Sequence, residues 1–296
     1  MNYISMKAYA KINLGLDVLR KREDGYHDVS MIMQSINLYD TLSIKKYNDG
    51  VIKVRTNLPY LPNDRRNLVY KATTLFNKTM KINAGIRIIL KKNIPVAAGL
   101  AGGSSDAAAV LLGLNKLFNT GLSTSELMQL GVQLGADVPY CILLGTALSE
   151  GIGELLTPLK PIPECTILLV KPDISVSTKY VYEGLKLDSS IIHPDIKGML
   201  DAIEEGSLLR LTSLMDNILQ TVTVRDYPVI EEIKEKMMEK GALTSLMSGS
   251  GPTVFGIFNN QEMAETAYRY FAESTYGGMV KLTKPYQPKN HAHFQK

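Results

Sequence analysis

A glycine- and serine-rich stretch, PVAAGLAGGSSDAA at residues 95–108, constrains the fold more than any other part of the sequence. It follows the apolar run of residues 85–90, which is typical of a strand, and leads into an alanine- and leucine-rich run typical of a helix ending near Gly121. Because glycine lacks a β-carbon, its backbone amides can approach a ligand closely. We therefore predict a strand, a tight turn and a helix whose first amides favour phosphate.

The residues around the glycines leave two interpretations open. We expect Ser104 and Ser105 to cap the helix and to offer hydroxyl groups. No GK[ST] follows, so the segment is not a Walker A loop, and Gly99, Gly102 and Gly103 lack the GxGxxG spacing of a dinucleotide site. The glycines alone fit an anion site as well as a loop that only packs a helix closely on a sheet.

Length and composition indicate a globular protein with an anionic small-molecule partner. The 296 residues suit two domains, and the chain is 45% hydrophobic and 21% charged. A net charge of +4 is too small to predict a nucleic-acid partner. No signal peptide or apolar run of membrane-spanning length is present, so we expect a cytoplasmic protein without a membrane partner. Cys141 and Cys165 are predicted to be reduced core residues.

Apolar and polar residues alternate over residues 7–14, which predicts a half-buried strand with Lys11 and Asn13 on one face. The turn sequence at residues 48–50 predicts a hairpin that pairs residues 42–44 with residues 51–54. Asn67 precedes a helical pattern and is expected to cap that helix. Four scattered histidines give no spacing typical of a metal site.

The second half of the chain predicts an alternation of strands and helices. Strands are expected at residues 166–170, 243–247, 253–258 and 279–282, with helices after Ser177 and Asp195, at residues 228–240 and from Gln261. This order approximates β-α-β-β-α-β with extra helices, a ferredoxin-like pattern. The prolines between residues 158 and 163 predict the boundary between domains at 1–160 and 161–296.

The stretch at residues 95–108 resembles the phosphate-binding motif of the GHMP kinases, the family of galactokinase, homoserine kinase and mevalonate kinase. AKINLGLDV at residues 10–18 and MSGSGPTVFGIF at residues 247–258 are similar to two further motifs of that family, in the expected order. The resemblance implies an α+β fold of two domains. The first is an N-terminal ribosomal protein S5 domain 2-like ATP-binding domain, and the second is a C-terminal ferredoxin-like domain with extra helices.

Longer motifs are similar to a narrower group within the family. These are AKINLGLDVLRKREDGYHDV, GLAGGSSDAAAVL and LGADVPYCILLGTALSEGIGE, which begin at Ala10, Gly99 and Leu134. The resemblance runs over nearly the whole chain. It implies an ATP-dependent small-molecule kinase whose substrate is a cytidine diphosphate-linked sugar alcohol, in the non-mevalonate route to isoprenoid precursors.

The same resemblance implies that Lys11 and Asp137 are the catalytic pair. A carboxylate near the accepting hydroxyl can orient it or take its proton, and a lysine can offset the charge on the moving phosphoryl group. The residues by themselves allow simpler roles: Lys11 could be a strand lysine facing solvent, and Asp137 could cap the helix that starts at Val138.

The implied cofactors are ATP and Mg2+. Lys92 and Asn67 match positions near the adenine or its ribose, and the phosphates would meet the following residues: Pro95, Val96, Ala97, Ala98, Gly99, Leu100, Ala101, Gly102, Gly103, Ser104 and Ser105. No dense set of carboxylates is present, so we expect magnesium to arrive with ATP rather than in a protein metal site. Asp106 either points away from bound phosphate or helps to place magnesium.

The implied substrate site contains Asn13, Tyr26, His27, Asp137, Tyr182 and Thr178. Aromatic faces stack on bases, so we expect the cytosine between Tyr26 and Tyr182, with His27 at its polar edge. Alternatively, Tyr26 could cover the core, Tyr182 could belong to it, and Thr178 could cap a helix. The turn at residues 249–251 is implied to close the cleft beneath the phosphates, although a plain hairpin also fits.

Three other functions remain open. A related kinase could use another small alcohol, but an acceptor without a base gives Tyr26 and His27 no obvious partner. A non-catalytic ATP-binding protein would not need both Lys11 and Asp137. A nicotinamide-dependent oxidoreductase does not fit the glycine spacing. The expected oligomeric state is a monomer or a weak dimer.

Overall fold

The computed structural model describes residues 2–188 and 191–288. Within this part of the chain, the strands are β1 (Tyr3–Lys21), β2 (His27–Tyr47), β3 (Ile52–Thr56), β4 (Gly85–Lys91), β5 (Thr146–Gly151), β6 (Leu155–Pro158), β7 (Thr166–Lys171), β8 (Thr244–Met247), β9 (Val254–Phe258) and β10 (Met279–Thr283). The helices are α1 (Leu68–Thr79), α2 (Gly102–Phe118), α3 (Thr124–Val132), α4 (Val138–Leu143), α5 (Thr178–Gly184), α6 (Ile196–Glu205), α7 (Leu208–Leu214), α8 (Gln220–Asp226), α9 (Val229–Glu239) and α10 (Gln261–Glu273).

The backbone packs into two compact units that interleave along the chain. Unit 1 comprises Met1–Ala10, Leu38–Val96 and Ala101–Leu143, and unit 2 comprises Lys11–Asn37, Ala97–Leu100 and Leu144–Lys296. The long strands β1 and β2 and the glycine-rich segment therefore each contribute to both units. A domain boundary near residue 160 stays a prediction.

In unit 1, β4 lies between two other strands of the sheet. Its antiparallel neighbour is the C-terminal half of β2, and its parallel neighbour is β3. The predicted hairpin between residues 42–44 and 51–54 is therefore wrong, because β4 lies between these two strands. Helix α1 supplies the long connection that two parallel strands such as β3 and β4 require. The predicted cap of α1 is confirmed: the Asn67 side chain accepts a hydrogen bond from Val69 N at 2.9 Å.

Unit 2 contains a four-stranded sheet in the order β10-β7-β9-β8, with every neighbouring pair antiparallel. Helix α9 precedes β8, and α10 connects β9 to β10, so the ferredoxin-like pattern is confirmed. The predicted starts of α5 and α6 are also confirmed, since Ser177 and Asp195 cap them with their side chains. The sequence reasoning missed the short helices α7 and α8, which have seven residues each.

Both cysteines, Cys141 and Cys165, are buried and form no disulfide, as predicted. Among the described residues, no helix is long and apolar enough to cross a membrane.

Neighbouring isoleucines of β4 test which face of this strand is buried in the core. Ile88 is 1% exposed and pairs with Ile44 and Val54, whereas Ile89 is 61% exposed. We expect Ile88→Ala to lower the free energy of unfolding by about 2–5 kcal/mol, because it leaves a cavity in the core. Ile89→Ala, the matched control, should cost less than about 1 kcal/mol. Urea titration of both variants measures these values, and equal losses would contradict the burial of Ile88 against the exposure of Ile89.

Candidate active site

The glycine-rich segment has an unusual alternation of backbone conformation. Ala97, Gly99 and Ala101 have φ angles of 51°, 73° and 55°, in the left-handed region, while the residues between them do not. Successive residues of alternating handedness direct their N–H groups toward a shared concavity, which binds anions. The left-handed region is unfavourable for alanine and is occupied mostly where function or packing demands it. The geometry therefore favours the anion-site interpretation of the segment over a packing loop.

The start of α2 differs from the sequence prediction. The residue that precedes the helix is Ala101, and no side chain caps the first turn, so the predicted caps by Ser104 and Ser105 are wrong. Both serines lie inside the helix, and the Ser105 hydroxyl donates to the carbonyl oxygen of Tyr9 at 2.6 Å. The uncapped amides of the first turn remain available to an anion.

The turn at residues 248–251 contacts Gly99, in the part of the glycine-rich segment that belongs to unit 2. The Ser248 hydroxyl donates to the Gly99 carbonyl oxygen at 3.0 Å. A β-carbon at Gly99 would lie 2.1 Å from the carbonyl oxygen of Ser248, so only glycine fits this contact. The buried Asn217 amide fixes the turn by donating to the carbonyl oxygens of Met247 at 2.7 Å and Gly249 at 2.8 Å. The turn is thus more than a plain hairpin.

Lys11 lies in this same part of unit 2. Its backbone N–H donates to the carbonyl oxygen of Leu100 at 3.2 Å, and a β-carbon on Gly249 would lie 3.4 Å from its Nζ. Lys11 is 5% exposed, which rules out the simpler role of a strand lysine facing solvent.

The Lys11 ammonium donates to the Asn13 side-chain oxygen at 2.6 Å, which confirms that these two residues share a strand face. Within the part of the chain that the structure describes, no carboxylate forms a salt bridge with Lys11. A buried ammonium is costly unless it is paired. The site therefore suits a negatively charged ligand.

Thr178 and the turn at residues 249–251 are brought together in unit 2. The hydroxyl oxygens of Thr178 and Ser250 lie 2.9 Å apart, within hydrogen-bond distance. The cap of α5 is Ser177, not Thr178, so the simpler role suggested for Thr178 is wrong. Thr178 instead connects α5 to the turn that contacts Gly99 and Lys11.

The aromatic residues of the predicted cytosine site also lie in unit 2. The rings of His27 and Tyr182 are 5.2 Å apart between centroids and inclined at 44°. Tyr26 is 57% exposed and does not cover the core. Burial, followed by the charge of Lys21, lowers the pKa of His27. His27 rather than Tyr26 is thus the described neighbour of the Tyr182 ring, and a cytosine between Tyr26 and Tyr182 stays a prediction.

Three further predicted site residues lie in unit 1. Asp137 immediately precedes α4, is partly buried, and accepts a hydrogen bond from Cys141 N through its backbone carbonyl at 3.1 Å. Asn67 uses its side chain to cap α1 and to donate to the Pro62 carbonyl oxygen at 2.8 Å. Lys92 is 8% exposed. Their roles toward substrate and nucleotide stay predictions.

Lys92 belongs to a buried cluster that we call the Asp40–Lys92–Asp106 cluster. Its ammonium donates to Oδ2 of Asp106 at 2.7 Å and to Oδ2 of Asp40. Burial alone would lower the pKa of Lys92, but the charges of Asp106 and Asp40 outweigh it and raise that pKa. Asp106 is 3% exposed. It pairs with Lys92 within unit 1 rather than pointing away into solvent.

The sequence reasoning missed Asp40, Asn217 and Ser248. Each is separated along the chain from the group that it holds, so no local motif identifies it. A buried position for Asp40, between the apolar residues of β2, was the one available signal. Among the described residues, no group of histidine, cysteine and carboxylate side chains could hold a metal ion.

Family models match both halves of the chain. The model of the GHMP kinases N terminal domain matches residues 67–145, and that of the GHMP kinases C terminal matches residues 199–277. The chain belongs to the GHMP kinase family. This family membership confirms the predicted two-domain α+β fold and an ATP-dependent kinase acting on small molecules.

Two relatives of this GHMP kinase share one name. A protein of Lachnoclostridium phytofermentans called 4-diphosphocytidyl-2-C-methyl-D-erythritol kinase is 57% identical, with coverage of 98% of this chain and 100% of the relative. One of the same name from Alkaliphilus oremlandii is 54% identical, with coverage of 92% and 94%.

Solved structures support the same family. A crystal structure of 4-(cytidine 5'-diphospho)-2C-methyl-D-erythritol kinase has a TM-score of 0.81 and 32% identity, covering 96% of this chain and 100% of the other. A homoserine kinase from Cytophaga hutchinsonii has a TM-score of 0.79 at 19% identity, covering 96% and 95%, which shows the shared fold alone.

Two glycines with similar backbone angles test the contact between Gly99 and Ser248. Gly99 and Gly121 have φ angles of 73° and 71°, but a β-carbon on Gly121 would meet nothing within 4 Å. Gly121→Ala should therefore cost only the strain of the left-handed region, about 1–2 kcal/mol. We expect Gly99→Ala to cost more and to abolish binding of a non-hydrolysable ATP analogue, measured by denaturant titration and calorimetry. Equal effects of the two substitutions would contradict the steric role of Gly99.

Proposed function

We propose that this GHMP kinase transfers the terminal phosphoryl group of ATP to the 2-hydroxyl of 4-diphosphocytidyl-2-C-methyl-D-erythritol. The products are the 2-phosphate and ADP, in the non-mevalonate route to isoprenoid precursors. The observation that carries the proposal is the buried Lys11, whose ammonium has no carboxylate partner among the described residues. Its backbone N–H bonds to Leu100 in the segment whose backbone suits an anion. The names of the relatives support the choice of acceptor.

On the nucleotide side, the alternating backbone at residues 97–101 and the first amides of α2 bind the ATP phosphates. We assign Lys92 and Asn67 to the side of the adenine or ribose. The described residues form no metal-binding group, so Mg2+ would enter with ATP, held largely through phosphate oxygens. When bound, the ion would supply positive charge that offsets the charge of the phosphates.

In the transfer step, the acceptor oxygen forms a bond to the terminal phosphorus while the bond from that phosphorus to the ADP oxygen breaks. Asp137 orients the 2-hydroxyl and accepts its proton. Lys11 offsets the charge of the moving phosphoryl group, and its hydrogen bond to Asn13 sets the direction of the ammonium. Most of the rate enhancement then comes from placement and electrostatics.

On the acceptor side, Tyr26 and Tyr182 supply aromatic faces for the cytosine. A lowered pKa keeps the His27 imidazole neutral at neutral pH, with one donor and one acceptor nitrogen. Such a ring can pair with the polar edge of a base. Thr178 lies near the substrate and is oriented by Ser250. We expect this chemistry to take place in the cytoplasm, with the enzyme as a monomer or weak dimer.

Replacing Asp137 tests the proposed base. Asp137→Asn keeps the size of the side chain but removes its charge, so we expect roughly a 10²- to 10⁴-fold loss of turnover with unchanged ATP affinity. Asp201→Asn, on the exposed face of α6, is the matched control and should retain full turnover. The readout is ADP release with the cytidine substrate, compared with a panel of other small alcohols. Near-normal turnover of Asp137→Asn would remove Asp137 from the mechanism.

Two tyrosines of α5 test the cytosine site. Tyr182→Ala should weaken binding of the cytidine substrate by about 1–3 kcal/mol, because a stacked base loses its aromatic partner. Tyr180 is 50% exposed and bonds to Asp226, so Tyr180→Ala controls for any effect on the helix itself. Calorimetry with the cytidine substrate gives both affinities. Unchanged binding by Tyr182→Ala, or an equal loss in both variants, would count against stacking on Tyr182.

A further inference from the structure

The Asp40–Lys92–Asp106 cluster joins three elements of unit 1. Asp40 lies on β2, Lys92 follows β4, and Asp106 lies on α2. Besides the Lys92 ammonium, Asp40 accepts hydrogen bonds through Oδ1 from the backbone N–H groups of Asn93 and Ile94, the latter at 2.8 Å. The cluster thus fixes the chain that leaves β4 relative to the start of α2.

The charges of this cluster do not balance if both carboxyl groups are ionised. One ammonium would face two carboxylates, and their side chains are at most 5% exposed. An unbalanced buried charge is costly, and two carboxyl groups that share a site tend to share a proton. Oδ2 of Asp106 accepts from Lys92, while Oδ1 of Asp106 is buried without a hydrogen-bond partner among the described residues. A proton on Oδ1 of Asp106 would balance the cluster.

The cluster also lies directly against the first residue of α2. A β-carbon on Gly102 would be 3.2 Å from the Lys92 ammonium nitrogen and 3.0 Å from the Ile94 side chain. Any net charge on the cluster therefore acts on the first turn of α2. Under the proposed function, that turn binds the phosphates of ATP.

We propose that Asp40 and Asp106 hold one proton between them, and that this proton keeps a negative charge away from the phosphates bound at the first turn of α2. The inference rests on the proposed function for its phosphate part. Asp106 is thus a positioning residue that acts through Lys92 and the helix, and it touches no reacting atom. Loss of the proton leaves the cluster with a net negative charge, which weakens nucleotide binding.

The surroundings of Asp106 support this assignment. Burial raises the pKa of Asp106 to about 8; the attraction of Lys92 opposes this rise and the charge of Asp40 reinforces it. The charged groups that shift the pKa of Asp106 are Lys92, which follows β4, and Asp40 on β2. From α4, Cys141 presents a thiol to the neighbouring residue Ser105, at 3.4 Å.

The pH dependence of the free energy of unfolding tests for the shared proton in the absence of nucleotide. A carboxyl group with a raised pKa contributes stability that is fully present below its unfolded pKa and is lost as the pH rises to its folded pKa. The free energy of unfolding of the wild type, minus that of Asp106→Asn, should therefore fall as the pH rises to about 8 and be constant above that pH. The exposed Asp49 has a lowered pKa, so Asp49→Asn should differ from the wild type by a constant amount between about pH 5 and 9.

The affinity for a nucleotide tests the proposed link between the shared proton and phosphate binding. Between pH 7 and pH 9, the wild type should lose roughly tenfold in affinity for a non-hydrolysable ATP analogue, equivalent to about 1.4 kcal/mol. Asp106→Asn carries no titrating group at this position, so its affinity should change far less. Asp49→Asn should follow the wild type. Calorimetry at both pH values gives these affinities, and ionisation of the analogue is common to all three proteins.

Each outcome decides one part of the inference. A stability difference between wild type and Asp106→Asn that is constant from about pH 5 to 9 shows an ionised Asp106 and overturns the shared proton. Parallel changes in affinity overturn the link to phosphate binding, even where the proton is present. If no variant binds the analogue at either pH, the proposed function fails along with the phosphate part. If Asp106→Asn does not fold, infrared spectroscopy of the wild type decides the proton, because a protonated carboxyl band should be present at pH 7 and lost by pH 9.

Discussion

The close approach of Gly99 to Ser248 is the constraint on which the rest of the candidate site in unit 2 depends. This contact joins two segments that are distant in the sequence, and it has no room for a side chain at Gly99. Because the segment is held there, its backbone can keep alternating left-handed residues, two of which are alanines. The backbone thus suits an anion without any basic side chain in the segment itself.

Two buried lysines, Lys11 and Lys92, have opposite electrostatic environments. Lys92 faces two carboxyl groups that compensate its charge, and it joins the end of β4 to α2. Lys11 bonds to a neutral amide and keeps its charge uncompensated by any described carboxylate. The difference separates a lysine whose charge is compensated within its unit from one whose charge suits an anionic ligand. Burial alone would not distinguish them, since both are almost inaccessible to solvent.

Much of the fold could be predicted from the sequence, because local signals act over short distances. The caps at Asn67, Ser177 and Asp195 and the ferredoxin-like order were all correct. The errors have a common cause: a local pattern was overridden by a partner far along the chain. The turn at residues 48–50 suggested a hairpin, but β4 occupies the position between the two strands.

In the candidate site, too, local sequence patterns do not reveal contacts with residues that are distant along the chain. Serine is a common helix cap, but the Ser105 hydroxyl donates its hydrogen bond to the carbonyl oxygen of Tyr9 instead. The decisive partners of Asp106 are distant in sequence: Lys92 lies 14 residues from Asp106 and 52 residues from Asp40, so no spacing rule finds them. Local patterns therefore identify which residues carry chemistry, while the long-range partners determine the charge and direction of each. The proposed function follows the same division, because it assigns the acceptor to Tyr26, His27 and Tyr182, which lie outside the glycine-rich segment proposed to bind phosphate.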